Sequence, residues 1–318
     1  MKILVAQKIR QQAMDLLEAS GAEITVAPEG DAEAFKELVK SSEAIVLGTW
    51  IKFTAEMMDS APGLRVISRT GAGVDNVDVE AATKRGILVL NTPAANAVSV
   101  AEHTVILIGA ISKQFVYLDH ETRADNFKAR RLNLPVDMDG KVLGLIGCGN
   151  IGRQVADKCR AAFNMEVIGY DPYITQLDGI TIYKSIEEAV SKADYVSLHV
   201  PLTDETRNLF DAKLIGKMKD GSYLINAARG GIIDEAALVD AVTSGKLAGA
   251  ALDCFSSEPL PADSPLLKER KILLTPHSAA LTQECTVRVA CEAAQGVIDY
   301  QAGKTPKFIF NKKGLGMA

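Results

Sequence analysis

Polar segments follow three predicted strands in the second half of the sequence. The segments are residues 226–231, 253–259 and 275–279. Because ligands of parallel α/β sheets bind at the carboxyl ends of the strands, we expect the three segments to meet at one site. They contribute a guanidinium from Arg229, a carboxylate from Glu258 and an imidazole from His277.

These three groups have the chemistry needed to interconvert a 2-keto acid and a 2-hydroxy acid. A guanidinium binds a carboxylate through two parallel hydrogen bonds and polarises the neighbouring carbonyl. An imidazole transfers a proton to or from the oxygen, and a carboxylate bonded to it fixes its tautomer and favours its charged form. The residue types therefore predict an oxidoreductase in which Arg229 binds the substrate, His277 moves the proton and Glu258 orients His277.

Structural explanations compete with this interpretation. Arg229 precedes two glycines and suits an exposed loop equally well, and Glu258 precedes a proline, which is typical of a turn. His199 ends another predicted strand, residues 195–200, so spacing alone does not separate His199 from His277. Two further histidines fall within helical patterns and are interpreted as packing or surface residues: His103 and His120.

A glycine-rich turn earlier in the sequence predicts a dinucleotide site. Gly147, Gly149 and Gly152 match G-x-G-x-x-G directly after an apolar strand and at the start of an amphipathic helix. The glycines permit a tight turn and close approach of the backbone to a pyrophosphate at the helix N-terminus. Asp171 ends the next strand, where a carboxylate binds a ribose 2′-hydroxyl and repels a 2′-phosphate. This favours NAD over NADP; a tight turn without a ligand and a solvated aspartate are the alternative.

The elements that position these residues alternate along most of the chain. Short apolar runs and amphipathic stretches follow one another, which predicts an α/β protein with two doubly wound parallel sheets. The first alternation covers about residues 1–98, and the second restarts at Lys141. Between them lie a long helical pattern from Ser99, its predicted N-cap, to about residue 125, and an irregular stretch at residues 126–140.

The composition argues against several classes of protein. At roughly 100–200 residues per domain, 318 residues predict about two domains. The net charge of −5 and the lack of basic runs argue against a nucleic-acid partner. No apolar run approaches the roughly 18 residues needed to span a membrane, and the N-terminal run is too short for a secretion signal. The five cysteines include no CxxC pair, which predicts free thiols in a cytoplasmic protein and no metal site.

The sequence resembles the D-isomer-specific 2-hydroxyacid dehydrogenases over nearly its whole length. The matching segments are residues 70–78, 91–93, 100–102, 147–152, 199–203, 226–235, 253–259 and 275–279. The resemblance implies that Arg229, Glu258 and His277 are the catalytic set, which favours His277 over His199. It also implies NAD as cofactor and a D-2-hydroxy acid as the product of reduction.

The resemblance further implies binding residues and a domain organisation. Substrate contacts are expected from Thr49, Trp50, Ala72 and Gly73, although packing explains Trp50 equally well. Cofactor contacts are expected from Gly147, Gly149, Asn150, Ile151, Gly152, Tyr170, Asp171, Pro172, His199, Val200, Pro201, Thr206, Ala227 and Asp253. A Rossmann NAD-binding domain, residues 99–284, would be inserted into a flavodoxin-like substrate-binding domain, residues 1–98 and 285–318. The implied assembly is a homodimer through the NAD-binding domain, using the helix after Ser99 and residues 126–140.

Within this family the sequence looks most like phosphoglycerate dehydrogenases and hydroxypyruvate reductases. The chain stops after the substrate domain, which implies the short form without a regulatory domain and without feedback control by serine. Residues 47–52 lack an arginine often found near this loop, which argues against a phosphorylated substrate unless Lys52 or Arg69 binds the phosphate. Val74 and Glu258 disfavour phosphite and formate dehydrogenases, respectively. The alternative function is an NADH-responsive, non-catalytic binding module of the corepressor type.

Overall fold

The chain divides into two compact units. The computed structural model describes residues 1–132 and 134–317. Unit 1 comprises Met1–Asn96 and the chain from Ala280 onward, and unit 2 comprises Ala97–Ala279. Within the described residues, no helix combines the length and the apolarity that a membrane crossing requires.

The strands are short and follow the apolar runs of the sequence. In unit 1 they are β1 (Lys2–Val5), β2 (Glu23–Val26), β3 (Ala44–Leu47), β4 (Val66–Arg69) and β5 (Leu88–Leu90). In unit 2 they are β6 (Val142–Ile146), β7 (Glu166–Tyr170), β8 (Thr181–Ile182), β9 (Tyr195–Leu198), β10 (Ser222–Asn226), β11 (Leu247–Leu252) and β12 (Ile272–Leu274).

Helices connect the strands, and several begin at a side chain that caps them. The helices are α1 (Gln11–Ala19), α2 (Ala32–Val39), α3 (Ala55–Asp59), α4 (Val79–Lys84), α5 (Ala97–Ser112), α6 (Phe115–Arg123), α7 (Asn150–Phe163), α8 (Ile186–Lys192), α9 (Ala212–Lys217), α10 (Glu235–Thr243) and α11 (Gln283–Gln301). Asp234, for example, accepts hydrogen bonds from the N–H groups of Ala236 and Ala237 at the start of α10. Such caps satisfy donors that have no partner inside the helix.

Unit 1 is built around a five-stranded parallel sheet in the order β2-β1-β3-β4-β5. This is the flavodoxin-type order. Leu4 and Ile45 pack on one face of the sheet with Phe35 of α2, whereas Ile3 and Val46 belong to an apolar cluster on the other face. Both faces are covered, which explains why the strands are apolar at nearly every position.

Unit 2 is built around a seven-stranded parallel sheet in the order β12-β11-β10-β9-β6-β7-β8. The chain starts in the middle, at β6, runs outward through β7 and β8, and returns to the other side of β6 with β9. Successive residues Leu145 and Ile146 pack into different apolar clusters, so this sheet also buries both faces. The predicted fold of two doubly wound parallel sheets is therefore confirmed.

The prediction of one long helix from Ser99 to about residue 125 is wrong. α5 begins at Ala97, so Ser99 lies in its first turn and is not the N-cap. The helix ends at Ser112 because Gln114 adopts a left-handed backbone conformation with φ 52°. The carbonyl of Ser112 then accepts a hydrogen bond from the N–H of Val136 (2.9 Å), which anchors the following segment.

Three smaller features also differ from the expectation. The stretch predicted to be irregular, residues 126–140, contains a 3₁₀ helix at Phe127–Arg131, and Asn133 within it lies outside the described residues. β9 ends at Leu198, so His199 follows this strand instead of belonging to it. β8 was not predicted because two residues are too few to show an apolar pattern.

Candidate functional site

The strand register of unit 2 places the predicted cofactor residues side by side. Ile146 at the end of β6 lies opposite Tyr170 of β7 and Leu198 of β9. The glycine loop, Asp171 and His199 are the residues that come next on these three strands. They therefore lie at one edge of the sheet, where the strand order reverses and where ligands of such sheets bind.

Close backbone contacts explain two of the three glycines. Gly147 has φ 96°, and a Cβ at this position would lie 2.7 Å from the carbonyl oxygen of His199. A Cβ at Gly152 would lie 2.5 Å from the carbonyl oxygen of Gly147. Any side chain at Gly152 would therefore push the start of α7 away from the glycine loop.

The third glycine leaves room at the start of α7. A Cβ at Gly149 would meet no atom within 4 Å, and among the described residues no side chain caps this helix. Asn150 and Ile151 are the first two residues of α7, so their N–H groups have no partner within the helix. This arrangement fits the pyrophosphate of a dinucleotide, which needs close backbone approach and free N–H donors.

Asp171 is held against the glycine loop. One of its carboxylate oxygens accepts a hydrogen bond from the N–H of Cys148 (2.9 Å), and the other accepts one from the N–H of Tyr173 (2.9 Å). A carboxylate has about four acceptor positions, so two bonds leave capacity for ribose hydroxyls. Tyr170 beside it is half-buried and Pro172 is exposed.

The hydroxyl group of Thr206 stabilises the turn that follows β9. Thr206 donates its hydroxyl to the carbonyl of Pro201 (2.6 Å) and accepts a hydrogen bond from the N–H of Thr203 (2.8 Å). Thr206 thereby shapes the turn that carries Pro201, which is exposed, and Val200, which is half-buried.

His199 does not have the properties of a proton donor near neutral pH. Its Nε2 lies 2.9 Å from the hydroxyl of Ser197. Desolvation lowers the pKa of His199 to about 4. The imidazole is therefore neutral at physiological pH, where it has no acidic proton to give.

The register of the next three strands aligns the three polar segments. Asn226 of β10 lies opposite Leu252 of β11, which lies opposite Leu274 of β12. Ala227, Asp253 and Thr275 follow directly, so the segments that carry Arg229, Glu258 and His277 start side by side.

The first segment is folded by a buried amide. The side chain of Asn226 donates to the carbonyl of Arg229 (2.8 Å) and accepts from the N–H of Ala228 (3.0 Å). Nη1 of Arg229 donates to the carbonyl of Ala228 (2.7 Å), and Ala227 is half-buried. A Cβ at Gly230 would lie 1.8 Å from the carbonyl oxygen of Phe255, so this turn and the next segment touch through their backbones.

His277 and Glu258 form a hydrogen-bonded pair. Nδ1 of His277 lies 2.7 Å from Oε2 of Glu258, and Oε1 accepts a hydrogen bond from the N–H of Phe255 (2.9 Å). Because the carboxylate only accepts, the proton is on Nδ1 of the imidazole. The side chains are 46% and 37% exposed, and ion pairs at such exposure contribute little to stability. Stability therefore does not by itself explain this pair.

His277 also has an unusual backbone conformation. Its φ is 51°, in the left-handed region that non-glycine residues rarely adopt. Such conformations persist only where surrounding contacts hold them, and they cluster at functional sites.

Asp253 has a task that the sequence did not reveal. Its side chain is 1% exposed, and it accepts hydrogen bonds from the hydroxyl of Thr275 (2.6 Å) and from the N–H groups of Ser278 (2.9 Å) and Ala279 (3.0 Å). We expected Asp253 to contact the cofactor; that contact stays a prediction, whereas the observed bonds hold the segment that carries His277.

Other supporting residues were also missed. Glu235 accepts a hydrogen bond from the N–H of Ser256 (2.6 Å), next to the segment of Glu258. Nε2 of His103 lies 3.1 Å from the hydroxyl of Thr275. The role of Asn226 could have been predicted from the sequence, because a buried polar residue at a strand end needs a local hydrogen-bond partner. The contact of His103 could not have been predicted, because its partner Thr275 is 172 positions away along the chain.

The predicted substrate residues belong to unit 1. Thr49 is exposed after β3. Nε1 of Trp50 donates to the carbonyl of Ala6 (3.0 Å), and its ring meets Phe35 edge-on at 5.7 Å. These contacts support the packing explanation for Trp50.

Ala72 and Gly73 lie in the loop that follows β4 and are half-buried. The carbonyl of Ala72 accepts a hydrogen bond from the side chain of Asn91 (2.7 Å), which fixes the peptide. Within the described part of the chain, neither N–H of the pair donates to a backbone carbonyl. Two neighbouring N–H groups of this kind suit a carboxylate.

The described residues contain no group of three histidine, cysteine, aspartate or glutamate side chains that could hold a metal ion.

The chain is similar to several known proteins. A sequence model described as "D-isomer specific 2-hydroxyacid dehydrogenase, NAD binding domain" matches residues 105–279. A D-3-phosphoglycerate dehydrogenase of Archaeoglobus fulgidus is 37% identical over 306 residues, which are 95% of this chain and 58% of that protein. The chain thus spans little more than half the length of this relative.

Two solved structures are similar over nearly their whole length. A protein of Thermus thermophilus has a TM-score of 0.90 and 34% identity, with 98% of this chain and 100% of that one covered. A glyoxylate reductase from Paecilomyes thermophila has a TM-score of 0.88 and 29% identity, with 98% and 99% covered.

Proposed function

This chain belongs to the D-isomer specific 2-hydroxyacid dehydrogenase family, and we propose that it interconverts a small 2-keto acid and its D-2-hydroxy acid with NAD. The observation that carries the proposal is the hydrogen bond between Nδ1 of His277 and Oε2 of Glu258 (2.7 Å). This bond lies at the carboxyl ends of β11 and β12, next to the segment after β10 that contains Arg229. A proton donor, its orienting carboxylate and a guanidinium are the groups that reduction of a keto acid requires.

Each of the three residues has a defined role in the proposed reaction. The guanidinium of Arg229 binds the substrate carboxylate and polarises the C2 carbonyl. Nε2 of His277 donates a proton to the carbonyl oxygen, while Glu258 holds the proton on Nδ1 and stabilises the imidazolium. NADH, when bound, supplies the hydride that C2 receives. In the oxidation direction, Nε2 of His277 accepts the proton of the hydroxyl group.

We assign the two units different tasks. Unit 2 carries the residues for NAD: the glycine loop, the start of α7, Asp171 and the segment from His199 to Pro201. Unit 1 carries the predicted substrate residues, among them Ala72 and Gly73, whose neighbouring N–H groups suit a carboxylate. The half-buried position of this loop and the bond that Asn91 makes to it support the assignment.

The uncharged side chain of Gln7 occupies the space that a side chain at position 48 would need. A Cβ at Gly48 would fall 1.9 Å from Oε1 of Gln7, so the glutamine amide takes that space. Nearby, Nη1 of Arg69 donates to the carbonyl of Thr70 (2.7 Å). The choice between hydroxypyruvate and 3-phosphohydroxypyruvate is therefore tested directly.

The experiment that tests the function is a panel of keto acids followed by NADH absorbance. The panel holds hydroxypyruvate, 3-phosphohydroxypyruvate, glyoxylate, pyruvate, 2-ketoisocaproate, phenylpyruvate and oxaloacetate, with NADPH in parallel. We expect turnover of at least one acid with NADH preferred. Tight NADH binding without turnover of any acid would instead support a cofactor-sensing module without catalysis.

Replacing Gly152 with alanine should weaken both folding and cofactor binding. The new Cβ would lie 2.5 Å from the carbonyl oxygen of Gly147, and such overpacking costs roughly 1–3 kcal/mol. The displaced helix start should lower NADH affinity about tenfold, which corresponds to about 1.4 kcal/mol. Thermal melting and fluorescence titration with NADH measure the two effects.

Gly216→Ala is the matched control for this prediction. Gly216 is exposed in α9, and a Cβ there meets no atom within 4 Å. The Tm and the NADH affinity of Gly216→Ala should stay near those of the wild type. Wild-type affinity in Gly152→Ala would mean that the glycine loop does not bind the cofactor.

We also infer that unit 2 forms a homodimer. None of the residues of α6 is buried, and large apolar side chains are exposed on α5, α6 and the following segment. Ile106 is 67% exposed and Leu134 is 70% exposed. Leu134 also lines a cavity of about 800 Å³, whose other walls come from α5, α6 and the edge around β12. Large apolar side chains exposed on successive segments are typical of an interface, and a second copy offers the same apolar groups.

Replacing Ile106 and Leu134 together with glutamate should produce a monomer. Two carboxylates in the interface would have to be desolvated without a partner, which is costly. Light scattering after size exclusion should give twice the 34.0 kDa chain mass for wild type and once for the variant. Tyr173→Ser, at a side chain 93% exposed, should remain dimeric. A monomeric wild type would contradict the inference.

A further inference from the structure

The segment that carries His277, residues 275–279, is held at both ends by one buried carboxylate. This segment is called the His277 loop below. At its start, Thr275 donates its hydroxyl to Oδ1 of Asp253 (2.6 Å). At its end, the N–H of Ser278 donates to Oδ1 (2.9 Å) and the N–H of Ala279 to Oδ2 (3.0 Å).

A histidine from α5 completes this arrangement. Nε2 of His103 lies 3.1 Å from the hydroxyl oxygen of Thr275 and 3.5 Å from Oδ1 of Asp253. The hydroxyl hydrogen of Thr275 points to the carboxylate, so its oxygen must accept the next bond in the chain. Nε2 of His103 therefore carries a hydrogen and donates it to Thr275. The result is a directed chain of hydrogen bonds from α5 through Thr275 to Asp253.

The His277 loop needs such anchoring because of its backbone conformation. His277 has φ 51°, and its N–H donates to the carbonyl of Thr275 (3.0 Å) in a tight turn. The left-handed region is unfavourable for a residue with a Cβ, so neighbouring bonds have to maintain it. A shift of Thr275 would pass directly into the turn and change the position of the imidazole relative to Glu258.

We propose that His103 and Thr275 are positioning residues, which hold the His277 loop so that Nδ1 of His277 meets Glu258. The proposal rests on the catalytic role assigned to His277 under the proposed function. Neither side chain is required to touch the substrate. Their effect is on the geometry of proton transfer, in which a displacement of about 1 Å is enough to cost about 100-fold in rate.

Replacing Thr275 with valine tests the proposal, because valine has nearly the same shape and lacks the hydroxyl. We expect kcat for keto-acid reduction to fall about 10-fold to 100-fold, while KM for the acid and the Kd for NADH change little. Thr275→Ser keeps the hydroxyl and should restore most of kcat. His103→Phe should resemble Thr275→Val, and His103→Gln, which keeps an N–H donor, should recover part of the rate.

Histidine NMR provides a readout that does not depend on activity. The chain has four histidines, so their imidazole resonances can be assigned by single substitutions. The signal of the Nδ1 proton of His277, bonded to Glu258, should shift or broaden in Thr275→Val and stay in place in Thr275→Ser. The signals of His120, which is exposed on α6, should be the same in every variant.

The outcomes separate this proposal from the proposed function. A folded Thr275→Val protein with wild-type kcat and an unchanged His277 signal would overturn the positioning role. If Thr275→Val fails to fold, His103→Phe and His103→Gln decide the question with the same two readouts. If the wild type turns over no keto acid, the proposed function fails, and the NMR spectra still show whether Thr275 and His103 hold the loop.

Discussion

Replacing His277 with asparagine is expected to lower kcat for keto-acid reduction by about 100-fold to 10,000-fold, the usual contribution of general acid catalysis. Asparagine suits the test because it tolerates the left-handed conformation found at His277 (φ 51°). The loop should therefore keep its shape while the proton donor is lost. Steady-state kinetics with the preferred acid give kcat, and NADH titration should show an almost unchanged Kd.

His199 cannot replace the lost proton donor in this variant. Desolvation lowers the pKa of His199 to about 4, so its imidazole is neutral near physiological pH.

A control and a contradicting result follow from the same geometry. His120→Asn, at an exposed histidine of α6, should keep wild-type kinetics. Near-normal turnover in His277→Asn would show that another group supplies the proton, and the assigned role would be wrong.

Replacing Arg229 with lysine is expected to lower kcat/KM for the keto acid about 100-fold to 1,000-fold, the cost of losing one well-placed donor to a developing oxyanion. Lysine keeps the charge but lacks the planar fork that binds a carboxylate through two parallel bonds. Both kcat and KM should be affected, because the guanidinium is proposed to bind the carboxylate and to polarise the carbonyl. The measurement is steady-state kinetics at saturating NADH.

Arg123→Lys provides the comparison for this substitution. Arg123 lies on α6 and pairs with Asp119 at 2.8 Å, with both side chains largely exposed, so the exchange should leave kcat/KM unchanged. If Arg229→Lys also behaved like wild type, the substrate carboxylate would have to be bound by other groups.

Much of the fold was determined by local features of the sequence. Apolar runs at the length of buried strands predicted eleven strands, and a pattern of this kind needs no long-range information. The glycine loop was predicted for the same reason, because strand, glycines and helix start are contiguous. The long helix after Ser99 was predicted wrongly, since its interruption depends on Gln114 and on a bond from Val136, which is distant in sequence.

For the candidate site, the sequence supplied residue types and the positions of strand ends. It placed Arg229, Glu258 and His277 after three predicted strands, and it left His199 as a rival to His277. Only the tertiary structure put Nδ1 of His277 2.7 Å from Glu258 and lowered the pKa of His199 by desolvation. Both depend on distance and burial, which spacing along the chain does not encode.

By itself, then, the sequence determined the strands, the helix starts and the groups available for chemistry, because these follow from patterns within a few residues of each other. The tertiary structure alone decided which groups meet. The strand register aligned the ends of β10, β11 and β12, and it brought His103 of α5 to Thr275, 172 positions away. Contacts between distant segments depend on how sheets and helices pack, and this packing is a property of the whole folded unit.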